Sequence, residues 1–248
     1  MSALDAARQI VAAGRTGALV TVLSGPHRWE RLVVDGDGQA IADPHGVIDD
    51  GAAAILTGVI GREATGVVEL GNTEVFVEVI GPGPTLVICG AGPIAEALSA
   101  MATPAGFTVD VIDPRRAFVR PERFPMARSV RQGWPDQILA LDALDSRTYV
   151  VSLLHEARFE ADLFPLLLSS SVRYIGALGS RRTHAARLDR LRSEGFEETD
   201  LERIHGPVGL DIGAETPEEI AVSILAEMVV TRRGADRLRA RANRSRVK

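Results

Sequence analysis

The residues best placed to do chemistry in this 248-residue chain lie in four short runs, each reached from an apolar stretch or leading into a helix. The first is Gly90-Ala91-Gly92-Pro93, entered from Leu86-Val87-Ile88-Cys89 and followed by Ile94-Ala95, a G-x-G-x-x-A pattern between a strand and a helix. In a nucleotide-binding βαβ unit the first glycine makes the tight turn and the second lets a pyrophosphate approach the backbone. A small third residue lets helix pack on strand. Asp113 follows Gly92 by 21 residues at the end of the next apolar stretch, where a carboxylate accepts hydrogen bonds from a ribose. Pro93 withholds one N–H from a phosphate, although its fixed φ suits a first helical turn. Arg115 and Arg116 are either phosphate contacts or solvated loop residues. Cys89 reads as a small buried strand residue, because a thiolate needs cationic neighbours.

The second run, Gly179-Ser180-Arg181-Arg182, places a glycine, a hydroxyl and two guanidiniums at a helix start. Free N–H groups, the positive dipole end and arginine make an anion site. The plain alternative is an N-cap with solvated arginines. The third run, His155-Glu156, follows Tyr149 to Leu154, and His155 is open to three uses: proton transfer, ligand contact or plain loop residue. The fourth is the loop from His205 to Glu215, with three glycines and a proline; its His205, Asp211 and Glu215 either line the same crevice or belong to a connector. No Ser-His-Asp order, Walker loop, H-E-x-x-H or EF-hand pattern is present.

The elements that carry these runs follow from periodicity and punctuation. Gly81-Pro82-Gly83-Pro84 can continue neither strand nor helix and divides the chain. Before it, helices at Ala3 to Ala13 and Asp50 to Ile60, strands at Ala18 to Leu23 and Arg31 to Val34, and a hairpin of Gly66 to Leu70 with Glu74 to Ile80 make a small α+β domain, 1–82. After it, apolar strands alternate with helices, the mark of a parallel sheet with helices on both faces. Strands are expected at Thr85 to Cys89, Thr108 to Ile112, Tyr149 to Leu153 and Arg173 to Leu178, with a weaker one near Ala127 to Val130. Helices are expected at Ile94 to Thr103, Ala161 to Ser169, Arg181 to Arg192 and Pro217 to Thr231. The last opens on Thr216, Pro217 and Glu219, an N-cap, a first-turn proline and the acid of a capping box. The fold class is therefore α/β, a Rossmann-like parallel-sheet domain over 83–234 preceded by the small α+β domain and followed by a basic tail, 235–248.

Composition narrows the function. A net charge of −5 argues against a general nucleic-acid binder, although the 17 residues from Arg232 to Lys248 carry eight cationic groups against Asp236 alone. That tail reads as a solvated end, with docking on an acidic partner as the weaker use. One cysteine excludes an internal disulfide and fits a reducing compartment. With no apolar run of the roughly 18 residues needed to span a bilayer, and no cationic leader, a cytoplasmic protein away from the membrane is expected.

Taken together, the motifs resemble the XdhC/CoxI family of xanthine dehydrogenase and carbon monoxide dehydrogenase accessory factors. The resemblance runs from about Glu74 to Gly234 through Phe76-Val77-Glu78, Cys89-Gly90-Ala91-Gly92, Asp113-Pro114-Arg115, Glu122-Arg123-Phe124-Pro125, the stretch Tyr174 to Arg182, and Gly209 to Ala221. It implies a cytoplasmic, dimeric chaperone that binds molybdenum cofactor, as molybdopterin or its cytosine dinucleotide form, and helps insert it into an apo-molybdenum hydroxylase. A sulfurtransferase partner also belongs to that picture. The chain departs from the family in having Pro93 where histidine is common, Leu154-His155-Glu156 where Thr-His-Asp is common, and no Ser-Gly-Gly-Cys-Val-Glu type segment in its first half.

On this reading the protein turns nothing over. Gly90, Gly92 and the Ser180-Arg181-Arg182 helix start hold phosphate, Asp113 meets a ribose or pterin hydroxyl, and Ala91, Pro93, Arg115, His155, Gly179 and Asp211 complete the cofactor-binding set. The rivals are an NAD(P)-dependent oxidoreductase with His155 as proton donor and an interaction scaffold that binds no small molecule.

Overall fold

A computed structural model describes residues 2–139, 144–154 and 157–234, so the basic tail lies outside the described residues. The chain forms two compact units, one of residues 2–82 with Arg232–Gly234, the other of Gly83–Thr231.

In the first unit, α1 (Ala3–Ala12), β1 (Gly17–Val22), β2 (Arg31–Asp35), β3 (Ala40–Ala42), α2 (Asp50–Gly61), β4 (Gly66–Leu70) and β5 (Thr73–Ile80) follow in order. The strands form an antiparallel sheet in the order β3-β2-β1-β5-β4. Ala6, Ala7 and Ile10 of α1 bury with Val33, whereas Leu56, Val59 and Ile60 of α2 bury with Val20, Leu32, Val34, Val75 and Val77. Each helix starts where a side chain accepts an otherwise unpaired N–H: the Ser2 hydroxyl from Asp5 at 3.2 Å and the Asp49 carboxylate from Ala52 at 2.7 Å. Strand β3 escapes sequence reading because three residues are too few to show alternation.

The second unit runs β6 (Thr85–Cys89), α3 (Pro93–Ala102), β7 (Thr108–Asp113), a 3-10 turn at Pro121–Arg123, β8 (Ser129–Gln132), α4 (Pro135–Ile138), β9 (Thr148–Ser152), α5 (Ala157–Glu160), α6 (Leu163–Leu168), β10 (Tyr174–Ala177), α7 (Arg181–Ser193), α8 (Glu198–Leu201), β11 (Ile204–His205) and α9 (Pro217–Arg233). All pairings are parallel, in the order β11-β10-β9-β6-β7-β8. Counted from β6, this is the 3-2-1-4-5-6 order of a Rossmann sheet, and it reverses direction between β6 and β9. Leu98 and Ala102 of α3 share one core with Ala221, Ile224 and Met228 of α9. The other face buries Leu163, Phe164 and Leu167 of α6, Leu191 of α7 and Leu201 of α8. Apolar cover on both faces is why β6, β9 and β10 read as unbroken apolar runs.

The α9 start is a capping box: the Thr216 hydroxyl accepts from Glu219 N–H at 3.2 Å, and the Glu219 carboxylate accepts from Thr216 N–H at 3.0 Å. The expected helix over Ala161 to Ser169 begins only at Leu163. Pro165 lacks an N–H, and its ring would meet the carbonyl of residue 161 in a longer helix.

Candidate functional site

The two βα loops at the point of strand reversal meet through the first glycine. Gly90 has φ +110°, and a Cβ there would sit 3.1 Å from the Leu153 carbonyl carbon and 3.3 Å from the Leu154 side chain. Its N–H donates to the Ile112 carbonyl at 2.7 Å, and Leu153 N–H donates to the Cys89 carbonyl at 2.7 Å. Glycine is thus required on two counts, backbone conformation and close approach. Gly92 serves otherwise: its φ of −83° suits any residue, and nothing lies within 4 Å of the Cβ it lacks. It caps α3 with no side-chain acceptor. Among the described residues nothing accepts from the N–H groups of Ile94 and Ala95; Ala95 is fully buried, so half-buried Ile94 is the donor this helix start can offer outward.

Asp113 is fully buried, with its acceptor capacity taken by the chain itself. Oδ2 accepts from Ala91 N–H at 2.8 Å and from an Arg115 guanidinium nitrogen at 2.8 Å; Oδ1 accepts from Arg115 N–H at 2.8 Å and from its Nε at 3.0 Å. Burial alone would push this carboxyl up, but the Arg115 bonds and the Ala91 and Arg115 N–H groups hold it below its ordinary value. A carboxylate offers about four lone-pair sites, so a hydroxyl reaches Asp113 only if Arg115 withdraws. Asp113 ties the end of β7 to the glycine loop. From the other side, Arg123 donates to the Ala91 carbonyl at 3.3 Å and pairs with Glu96 of α3. That gives the Glu122-Arg123-Phe124-Pro125 motif a mechanical role.

At the end of β10, Gly179 has φ +138°, and the Ser180 hydroxyl caps α7 by accepting from Thr183 N–H at 3.1 Å. Arg181 and Arg182 are exposed. Arg181 and Asp211, two residues singled out from sequence, meet at 3.7 Å across two loops. Because β6, β9 and β10 are adjacent and parallel, the α3 and α7 starts lie at the same end of the sheet, α3 over one face and α7 over the other. His155 lies outside the described residues.

Sequence reading missed what lies beneath that edge. Arg187 of α7 and Glu160 of α5, with side chains only 3% and 8% exposed, form a two-pronged ion pair with both bonds at 3.0 Å. Arg187 also donates to the Leu178 carbonyl at 3.0 Å, and the Ser152 hydroxyl meets Glu160 at 3.3 Å, so the pair joins the ends of β9 and β10. Both line a cavity of about 240 Å³ with Leu154, Leu178, Gly179 and Thr183. The charges sit 27 residues apart in a chain one quarter charged, which gives no signal before folding.

The fourth run divides. Asp211 and Glu215 are exposed, whereas His205 turns inward, with Nδ1 3.1 Å from the Glu227 carboxylate and its ring 4.4 Å from that of Tyr174. Glu227 also accepts from the Tyr174 hydroxyl at 2.6 Å and from Gly209 N–H at 2.8 Å. A Cβ at Gly209, φ +96°, would lie 2.0 Å from the Ser223 hydroxyl, and one at Gly206 would lie 2.1 Å from His184 Nδ1. His184 is held neutral: burial, then the charges of Arg187 and His205, press its pKa down to about 4. An ordinary histidine at 6.5 binds its proton earlier than this folded one, so stability is present above pH 6.5 and falls as pH drops from there towards 4. His184→Gln is expected to flatten urea-midpoint stability across that window; an unchanged slope would refute the assignment.

Cys89 is fully buried, and burial followed by the Asp113 charge pushes its thiol far up, so it takes no part as a thiolate. No helix among the described residues is long and apolar enough to cross a membrane.

A family model described as the XdhC Rossmann domain matches residues 86–228. The chain is 37% identical over 162 residues to a probable xanthine dehydrogenase subunit of Bacillus subtilis, covering 65% of this chain and 47% of that protein. It is 28% identical over 151 residues to the molybdenum cofactor insertion chaperone PaoD of Escherichia coli, covering 61% and 41%. A third relative, YqeB of Escherichia coli, is 35% identical over 71% of this chain and 32% of its own length. The chain therefore spans between a third and a half of the curated relatives it matches. A crystal structure of a xanthine dehydrogenase from Bacillus halodurans superposes with a TM-score of 0.67 at 25% identity, over 93% of this chain and 64% of that one.

Proposed function

Because this chain belongs to the XdhC family, with the family's Rossmann domain at 86–228, we propose that it is a maturation factor that carries molybdenum cofactor to an apo-molybdenum hydroxylase. The observation that carries the reading is the pair of helix starts at one sheet edge. The α3 start is open over Gly92 with a donor at Ile94, and the α7 start is flanked by exposed Arg181 and Arg182. Two anion-receptive ends at the same end of the sheet suit a phosphate-bearing cargo of elongated shape. The cavity beside Gly179 is smaller than the roughly 300 Å³ of an ordinary ligand pocket, so it takes one end of the cargo at most. Asp113 and Arg123 act by holding the glycine loop in shape.

The test is anaerobic ultrafiltration of the full chain with isolated molybdopterin or its cytosine dinucleotide form. Wild-type protein is expected to retain cargo. Gly92→Val fills space that touches nothing in the protein and suits that backbone, so it is expected to fold normally and retain at least about tenfold less, as is Arg181→Ala/Arg182→Ala. Absence of retention by wild type would overturn the proposal, and NADH binding at micromolar concentration would put an oxidoreductase in its place. Capture of the hydroxylase by protein that never retains a small molecule would leave the scaffold reading.

A further inference from the structure

We propose that the first unit holds a divalent metal ion of the zinc class on His27, Glu30 and His45. The three side chains come from two loops, one joining β1 to β2 and one joining β3 to α2, and their ligand atoms lie within 4.8 Å of one another.

The distances suit a metal as well as they suit long hydrogen bonds. His27 Nδ1 and His45 Nε2 both stand 3.3 Å from the same carboxylate oxygen, Glu30 Oε1. That is longer than the 2.7–3.2 Å typical of a good N–H···O bond. It matches the edge of a tetrahedron whose metal–ligand bonds are about 2.0–2.1 Å, which is about 3.3–3.4 Å. The two imidazoles stack with centroids 4.5 Å apart and planes 19° from parallel, so one ring turns about its Cβ–Cγ bond for both in-plane lone pairs to meet a single ion.

A second, independent observation is the other oxygen of the same group. Glu30 Oε2 is shielded from solvent and has no hydrogen-bond partner. An orphaned carboxylate oxygen is costly and calls for a compensating charge. Arg28, two residues before Glu30, lies over the Trp29 ring, 4.7 Å from its centre. A cation between Glu30 and the two imidazoles supplies the missing charge.

Both loops are preorganised. The Asp43 carboxylate accepts from Val47 N–H at 3.0 Å and Ile48 N–H at 2.8 Å, which fixes the turn that carries His45. On the other loop Trp29 sits at φ +75°, a conformation that side-chain-bearing residues rarely adopt, and its N–H is tied to the Val22 carbonyl at 2.7 Å. That strain places Glu30 opposite His27. Two imidazoles and a carboxylate suit zinc and its neighbours, whereas magnesium and calcium prefer oxygen throughout. Three protein ligands leave a fourth position for water or an incoming donor.

The experiment is calorimetric titration of the metal-stripped full chain with Zn2+, with Mg2+ as control, and with Co2+ for its tetrahedral visible bands. Saturable one-to-one Zn2+ binding is expected, at least about 100-fold weaker in Glu30→Gln and in His27→Gln/His45→Gln, with Mg2+ ineffective. As a measurement that needs no variant, Zn2+ is expected to protect His27 and His45 from diethylpyrocarbonate while exposed residues elsewhere still react. Zn2+ affinity unchanged by the double substitution, the absence of saturable binding below millimolar, or equal modification with and without Zn2+ would each overturn the site.

Discussion

Arg187→Met is expected to destabilise the second unit by about 3–5 kcal/mol, because it strands a buried Glu160 carboxylate without its cation. The pair has side chains 3% and 8% exposed and makes two bonds of 3.0 Å, and the Ser152 hydroxyl, 3.3 Å from Glu160, brings no charge to replace the guanidinium. The arginine plane also lies over the Phe164 ring, 5.1 Å from its centre, so methionine keeps much of the apolar contact and the loss reads mainly on charge. Trp134, 5.0 Å from the Phe159 ring, reports on this region. In a Trp29→Phe background its fluorescence follows urea unfolding of the second unit. Removing both charges, Arg187→Met with Glu160→Leu, is expected to restore most of the loss, since an apolar pair replaces a buried ion pair at little cost. A single substitution that costs less than about 1 kcal/mol would show that the pair is solvated and that it does not brace the two strand ends.

Bracing of that kind explains which parts of the molecule were legible before the structure. Strand β6, the GAG turn and the α3 start stand where sequence places them, because one local pattern fixes all three: an apolar run, a glycine with no room for a Cβ, and a proline at the first helical turn. The capping box at Thr216 was legible for the same reason, its partners being three residues apart. The use made of Asp113 was not. Its position 21 residues after Gly92 announces a carboxylate at a strand end, but only the fold shows that Arg115 and Ala91 already fill it. Arg187 and Glu227 were invisible because charged residues on predicted helices read as solvated, and Glu160 fell just outside one; their burial is created by partners 18 to 53 residues away. His27, Glu30 and His45 belong to two loops without regular pattern, which periodicity cannot bring together.

These hidden groups also place the site's strength below its edge. Under the proposed function the groups that would face the cargo, Gly92, Arg181 and Arg182, make few bonds to the rest of the protein, which leaves them free to bind. Their positions are held by buried polar groups: Asp113 under the glycine loop, and Arg187 with Glu160 under the α7 start. Substitutions at the edge are therefore expected to cost binding with little stability, and those beneath it to cost stability first.

Glu227 gives the largest expected pH effect. Burial by itself would push its carboxyl up, but the His205 bond and charge, the Tyr174 hydroxyl and the Gly209 N–H outweigh burial and hold it at about 2, against 4.5 when unfolded. A carboxyl whose folded pKa is lowered stabilises the fold at pH above 4.5, and the contribution drains away as pH falls through 2. At 1.36 kcal/mol per pH unit the gap amounts to about 3 kcal/mol, an order of magnitude for a group this deeply buried. Glu227→Gln is expected to remove it at neutral pH and to leave a shallower fall between pH 4.5 and 2 than the parent's, the remaining slope coming from other lowered carboxyls such as Asp113. Tyr174→Phe, which deletes one of several supports, is expected to give a smaller loss with the fall moved to higher pH. Because His184 acts between pH 6.5 and about 4, the two groups share little of the pH axis, and one denaturation series at stepped pH separates them. A Glu227→Gln profile that falls as steeply as the parent's below pH 4.5 would show that the acid limb belongs to other carboxylates.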